Sequence, residues 1–167
     1  QIGKLLGARV IAAAGSADKL ALAEHYGADA TVNYRHESLK DAVKKLTGGK
    51  GADVIYDPVG GALANDCLSC INWNGRYLII GFAAGDIPQI AANRLLLKGA
   101  SAVGVFWGAF VAREPKRNFE NFERLFAWMA EDKLRPHISR TYSLAEAPQA
   151  LTDMRERRVT GKIVLVP

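Results

Sequence analysis

The chain has 167 residues, of which 49% are hydrophobic and 23% charged, and its formal net charge is +5. That length fits one domain, or one domain with a shoulder of another, and the composition is that of an ordinary globular protein. Two cysteines exclude a disulfide scaffold, and no apolar run approaches the roughly 18 residues of a membrane helix. No signal peptide is visible, so a reducing cytoplasm is the expected compartment. The positive charge is spread along the chain and is densest at Arg155, Arg157, Arg158 and Lys162. It reads as solvated surface plus a phosphate site rather than as a nucleic-acid tail.

In chain order, Gln1 to Leu6 reads as the tail of a helix, and Val10 to Ala14 as a strand leaving through Gly15. Ser16 is placed to cap a helix that runs to Tyr26, with Asp18 in its first turn and Gly27 stopping it. Ala30 to Asn33 is the next strand. Ser38 opens a helix closed by Gly48 and Gly49. Ala52 to Asp57 is a strand that Pro58 ends. Ala62 to Ile71 is predicted helical, Gly75 to Gly81 a strand, Gln89 to Lys98 a helix and Ser101 to Val105 a strand.

This alternation predicts parallel strands joined by right-handed helical crossovers, in an open twisted sheet covered on both faces. It is the rhythm of a dinucleotide-binding domain that starts one step late. The opening strand and its glycine-rich phosphate turn are not within these residues, so the chain reads as a piece of a larger enzyme, cut just after that loop. The polar stretch Arg113 to Asn118 reads as a possible linker. Asn118 to Lys133 reads as an amphipathic helix whose Phe119, Phe122, Leu125, Phe126 and Met129 form a core-facing stripe. Leu144 to Arg155 reads as a helix and Lys162 to Val166 as a final strand.

In dinucleotide folds an acid at the tip of the second strand bonds the ribose diol of NAD, whereas a 2′-phosphate needs cations and hydroxyls. Here that strand ends in Ala14, Gly15 and Ser16 with no acid. Lys19 lies in the following turn of helix, and Tyr34 and Arg35 follow the neighbouring strand. Gly15, Ser16, Lys19 and Tyr34 can therefore converge on one phosphate, with helix N-terminal amides adding donors. Asp18 is discordant if it faces inward. Asp57 to Gly61 and Gly81-Phe82 are two glycine-bearing strand exits at the edge where open α/β sheets bind ligands. Cys67 and Cys70 supply two of the four ligands that a structural zinc site wants and read as small apolar fillers.

The phrases Q-I-G-K-L-L-G-A from Gln1, G-A-D-A-T-V-N-Y-R from Gly27, and L-T-G-G-K-G-A-D-V-I-Y-D-P-V-G-G from Leu46 carry a resemblance. So do G-R-Y-L-I-I-G-F from Gly75 and R-x-x-T-G-K-I-V-L-V-P ending at Pro167. In this order they make the chain similar to the second half of the zinc-independent quinone oxidoreductases, the zeta-crystallin-like branch of the medium-chain dehydrogenase/reductase superfamily.

The resemblance implies an α/β fold: a Rossmann-type doubly wound parallel sheet lacking its first strand and glycine-rich loop, plus a C-terminal segment of a GroES-like catalytic domain. Residues 1–115 would be the truncated cofactor domain and residues 116–167 the returning segment. The implied cofactor is NADPH, with Gly15, Lys19 and Tyr34 at its 2′-phosphate, and Val59, Gly81, Phe82 and Ala83 at its nicotinamide end. Arg157 and Lys162 would fall in the closing segment that contacts the phosphates. The implied reaction is hydride transfer from NADPH to a quinone or another α,β-unsaturated carbonyl, by alignment in a water-poor cleft. The strand around Ser101 to Val105 would join two subunits in a homodimer.

In the strand order 3-2-1-4-5-6 the absent strand is the central one. Val10 to Ala14 and Val54 to Tyr56 would then lose their shared neighbour and expose two apolar edges. The piece alone is expected to bind NADPH weakly or not at all and to reduce no quinone. Two other readings are an enoyl-thioester reductase of the same superfamily and a non-catalytic dinucleotide- or RNA-binding domain.

Overall fold

A computed structural model describes residues 1–156 and 158–167. The first part holds α1 (Ile2–Leu5), β1 (Ile11–Ala14), α2 (Ala17–His25), β2 (Ala30–Asn33), α3 (Leu39–Leu46), β3 (Ala52–Asp57), α4 (Leu63–Ser69), β4 (Ile71–Ile79), α5 (Ala92–Leu96) and β5 (Ser101–Gly104). Then come α6 (Trp107–Arg113), α7 (Pro115–Ala130), β6 (Ile138–Ser143), a short 3-10 turn at Leu144–Glu146, α8 (Ala147–Arg155) and β7 (Lys162–Val166). No described helix is long and apolar enough to cross a membrane.

The strands form parallel ladders in three groups, β1–β2, β3–β4–β5 and β6–β7. This is the order expected for a doubly wound sheet interrupted at its centre. Among the described residues β1 and β3 share no ladder, and Val54 and Tyr56 on β3 are 45% and 67% exposed. What joins the two ladders is a layer of helices. Val32 of β2, Leu39 and Val43 of α3, Ala64, Cys67 and Leu68 of α4, and Ile71 and Tyr77 of β4 form one buried cluster. The local sequence supports that layer. Ser38 caps α3 by accepting the Asp41 N–H at 3.3 Å, and a capping bond of this kind is worth about 1 kcal/mol.

Four expectations are corrected. The polar stretch after Arg113 is not a linker: Pro115 sits in the first turn of α7, where its missing N–H costs nothing, and only Glu114 separates α7 from α6. The α7 stripe does not face a core. Phe119 and Phe126 are 63% and 60% exposed, and of the stripe only Phe122 and Leu125 line a cleft of about 410 Å³, together with Ile2, Leu6, Trp107 and Trp128. Helix α4 ends at Ser69, and β4 takes over at Ile71 rather than at Gly75. Strand β6, which pairs in parallel with β7, lies where the sequence predicts no strand, and a 3-10 turn precedes α8 where it predicts helix throughout.

The C-terminal part is tied to the first residues of the chain. Gln1 Nε2 donates to the Arg135 carbonyl, and the Arg135 N–H returns a bond to Gln1 Oε1, both at 2.8 Å. Tyr26 Oη lies 3.3 Å from His137 Nδ1. Within this part Asp153 of α8 is the anchor. It is 5% exposed and accepts hydrogen bonds from the Tyr142 hydroxyl at 2.5 Å, Gln149 Nε2 at 2.8 Å and the Arg158 guanidinium at 2.5 and 3.1 Å.

Two expectations about stability follow from this architecture. Leu68→Ala opens a void inside the helix layer and is expected to cost about 2–5 kcal/mol. It should do so in a single unfolding transition, measured by denaturant titration, because the layer is shared by both ladders. Asp153 titrates at about 2, held down first by the Tyr142 hydroxyl and then by Arg158 and Gln149. A lowered carboxylate contributes stability that is fully present above its unfolded value of about 3.9 and is lost as pH falls through the folded one. Between pH 4 and 2 the β6–β7–α8 unit should therefore loosen, as followed by hydrogen exchange, and Asp153→Asn should flatten that dependence.

Candidate functional site

The carboxyl ends of β1 and β2 lie side by side, because Ala14 pairs with Asn33 and the Tyr34 N–H donates to the Ala14 carbonyl at 3.3 Å. Gly15 and Ser16 leave one strand end, and Tyr34 and Arg35 leave the other. Gly15 is required by close approach. A Cβ there would stand 2.9 Å from Arg35 Nε and 3.1 Å from Tyr34 Cε2. The half-buried Tyr34 ring and the exposed Arg35 side chain thus lie across the Gly15 backbone.

Ser16 is extended at the N-cap of α2, but its hydroxyl makes no capping bond. The hydroxyl and the positive end of the helix are left at the same edge. Lys19 is exposed on the first turn of α2. Among the described residues neither Lys19 nor Arg35 has an acidic partner. Arg35 and Tyr34 against Gly15, the Ser16 hydroxyl beside it and Lys19 on the first turn of α2 are donors suited to a phosphoryl group. Spacing along the chain points to Gly15, Ser16, Lys19 and Tyr34, and the structure adds Arg35 to them. The one signal for it in the sequence is its position directly after Tyr34.

The second strand edge is built by β3 and β4. Asp57 ends β3, is 6% exposed, and turns the chain: its Oδ1 accepts the N–H groups of Val59 at 2.8 Å and Gly60 at 3.0 Å. Its Oδ2 accepts the Tyr77 hydroxyl at 2.5 Å. Burial first, and then the Asp57 carboxyl, push the Tyr77 phenol above its ordinary range and keep it a donor. The two exits are stitched together by backbone bonds from Ala83 N–H to Pro58 O, Ala84 N–H to Val59 O and Gly61 N–H to Asp86 O. Val59 and Gly81 are half-buried, and Phe82 and Ala83 are exposed, so this edge presents an apolar rim.

Lys162 starts β7, with its N–H bonded to the His137 carbonyl at 2.8 Å, and forms no hydrogen bond to either strand edge among the described residues. Arg157 lies outside the described residues. Its neighbour Arg158 is taken up by Asp153 and Glu156. Cys67 and Cys70 are buried as unpaired thiols, pushed up to about 12 and about 11 chiefly by burial. Among the described residues no three His, Cys, Asp or Glu side chains stand together to hold a metal ion.

Gly15→Ala is expected to push Tyr34 and Arg35 aside while leaving the fold intact, since Arg35 can swing into solvent. The Tyr34 ring resonances should shift in NMR spectra, with the unfolding free energy within about 1 kcal/mol of the original.

Comparison with known proteins gives consistent findings. Residues 1–131 match the family described as zinc-binding dehydrogenase. Over 162 residues the chain is 42% identical to a quinone oxidoreductase-like protein 2 homolog of Nematostella vectensis, covering 96% of this chain and 44% of that protein. It is 32% identical to a quinone oxidoreductase of Pseudomonas aeruginosa, covering 100% of this chain and 51% of the relative. The structure of Escherichia coli quinone oxidoreductase complexed with NADPH superimposes with a TM-score of 0.89 at 27% identity, over 99% of this chain and 52% of that one. The chain spans about half the length of the relatives it matches.

Proposed function

Because this chain belongs to the zinc-binding dehydrogenase family, we propose that it is the cofactor-binding part of an oxidoreductase that transfers hydride from NADPH to a quinone or another α,β-unsaturated carbonyl. On this reading residues 1–115 form the dinucleotide-binding part, and residues 116–167 return to a catalytic domain of GroES type. Such proteins align a hydride donor beside an acceptor and exclude water, and the ring itself supplies the hydride.

The observation that carries the reading is the edge around Gly15. An acid at that strand tip would repel a 2′-phosphate, and here the tip offers no acid but Lys19, Arg35, Tyr34 and Ser16 instead. The donor set fits NADPH better than NADH. Lys19 and Arg35 would neutralise the phosphate, and Tyr34 and Ser16 would supply hydroxyl donors. The second edge would receive the nicotinamide, with Val59, Gly81, Phe82 and Ala83 against the ring. Lys162 would approach the phosphates from the closing segment. Two likenesses support this assignment: the Escherichia coli quinone oxidoreductase was solved as a complex with NADPH, and the Pseudomonas aeruginosa relative is likewise a quinone oxidoreductase.

Two further parts belong to the same proposal. The segment by itself is inactive, since the quinone oxidoreductase relatives are about twice as long and the 167 residues offer one side of a cleft. Two subunits join along β5, where Val103, Val105 and Phe106 are 38%, 41% and 79% exposed at the end of the three-stranded ladder.

The test uses the longest natural chain that carries this sequence. Removing a charge-assisted contact to a phosphate costs about 1.5–3 kcal/mol, on the order of tenfold or more in affinity. Lys19→Ala is therefore expected to weaken NADPH binding about tenfold while leaving NADH within about twofold, as read by fluorescence titration. A natural chain that prefers NADH, or a variant that loses both dinucleotides equally, would remove the basis of the assignment.

A further inference from the structure

The buried carboxyl of Asp57 does more than end a strand. In the parallel register Ile55 lies opposite Tyr77 and Asp57 opposite Ile79. Alternation therefore places Asp57 and Tyr77 on one face of the ladder, one pleat apart. The hydroxyl of Tyr77, a residue 1% exposed, reaches along that face to Asp57 Oδ2. The other carboxyl oxygen holds the Val59 and Gly60 amides. The carboxyl is thus fixed from below by a core side chain and fixes the turn above it.

That turn is also locked from its far side. Gly60 has φ +67°, and a Cβ there would come within 3.0 Å of the Phe82 ring. Phe82 is thus seated directly on the backbone that Asp57 orients. The bonds from Ala83 and Ala84 to the Pro58 and Val59 carbonyls carry the same constraint into the second exit. One buried pair sets the position of Val59 and Phe82 together. A hydrophobic filler in place of either partner could stabilise the ladder, but it would not dictate where the 58–61 backbone sits.

We propose that Asp57 and Tyr77 are a positioning pair for the nicotinamide ring, acting through the 58–61 turn and Phe82. This rests on the reading that these strand exits receive the nicotinamide of NADPH. The pair touches neither cofactor nor acceptor. It sets the distance and tilt at which the hydride donor is presented, a quantity to which transfer rates are steeply sensitive.

The experiment compares the longest natural chain carrying this sequence with its Tyr77→Phe, Asp57→Asn and Asp57→Ala variants. Each is titrated with adenosine 2′,5′-bisphosphate, which carries the phosphate end without the nicotinamide, and with NADPH, whose fluorescence reports the environment of the ring. Turnover with NADPH and 4-deuterated NADPH gives kcat, KM and the isotope effect, and circular dichroism melting reports the fold.

The expected result for Tyr77→Phe is bisphosphate affinity within about twofold of the original, an altered fluorescence of bound NADPH, and kcat lower by about tenfold or more. The isotope effect should be larger, because hydride transfer becomes slower relative to the other steps. Asp57→Asn, which still offers an oxygen to the two amides, should recover part of what Asp57→Ala loses. If Asp57→Ala does not fold, Tyr77→Phe and Asp57→Asn carry the comparison alone.

Unchanged fluorescence and kcat in Tyr77→Phe would overturn the pairing. A parallel loss of bisphosphate and NADPH binding would also overturn it, since that marks a general structural role. If the unaltered protein binds neither ligand, the cofactor assignment itself falls, and the pairing falls with it. That outcome is distinct from intact binding with an insensitive Tyr77.

Discussion

Burial of apolar surface between α3, α4 and the strands beneath them is the interaction on which the rest depends. The β1–β2 and β3–β4–β5 ladders share no hydrogen bonds among the described residues, so backbone pairing does not fix their relation. The buried cluster running from Val32 through Val43 and Cys67 to Ile71 and Tyr77 does. Each buried Val, Leu or Ile side chain in it contributes about 1.5–3 kcal/mol of transfer free energy. Because the cluster reaches both ladders, the Gly15 edge and the Asp57 edge are held in one body. A ligand long enough to need both edges is served by a buried cluster that Tyr34 packs against at one edge and whose Tyr77 bonds Asp57 at the other.

The two edges differ in how they treat charge. Around Gly15 the cations are exposed and, among the described residues, without an acidic partner, so they cost little to maintain and remain available. At Asp57 the carboxyl is buried and must be fully satisfied, which its three hydrogen bonds accomplish. The first arrangement suits recognition of a charged group arriving from water. The second suits holding backbone where a flat apolar ring can lie against it. The same division recurs in the C-terminal part, where Asp153 organises Tyr142, Gln149 and Arg158 without presenting a free charge.

The alternation of strands and helices was readable because apolar runs such as Ala52 to Asp57 end in Pro or Gly and because Ser38 and Gly48 bracket α3. Strand β6 was not readable. In Ile138–Ser143 only Tyr142 is buried, and hydroxyl residues fill the other face, so the run lacks the apolar content that marks a strand. The periodicity of α7 correctly announced an apolar stripe, but period alone does not say whether the covering surface lies in the same chain. At the Gly15 edge the missing acid and the nearby Lys19 and Tyr34 were legible from spacing, and the contact of Arg35 with Gly15 was not, because it depends on side-chain direction. The Asp57–Tyr77 pair was hidden for a related reason. It depends on the β3–β4 register, and a shift of one residue would put the two side chains on opposite faces.

The two cysteines acquire a meaning from where they sit. Cys67 and Cys70 are carried at the end of α4, inside the layer that joins the ladders, and at neutral pH almost none of either thiol is ionised. Thiolate is the reactive form, so oxidants and alkylating agents meet an inert surface while the layer is closed. Once α4 lifts away, both sulfurs enter water together and regain ordinary acidity. The rate at which they then react is a native clock for separation of the two halves, written into the protein without any added label.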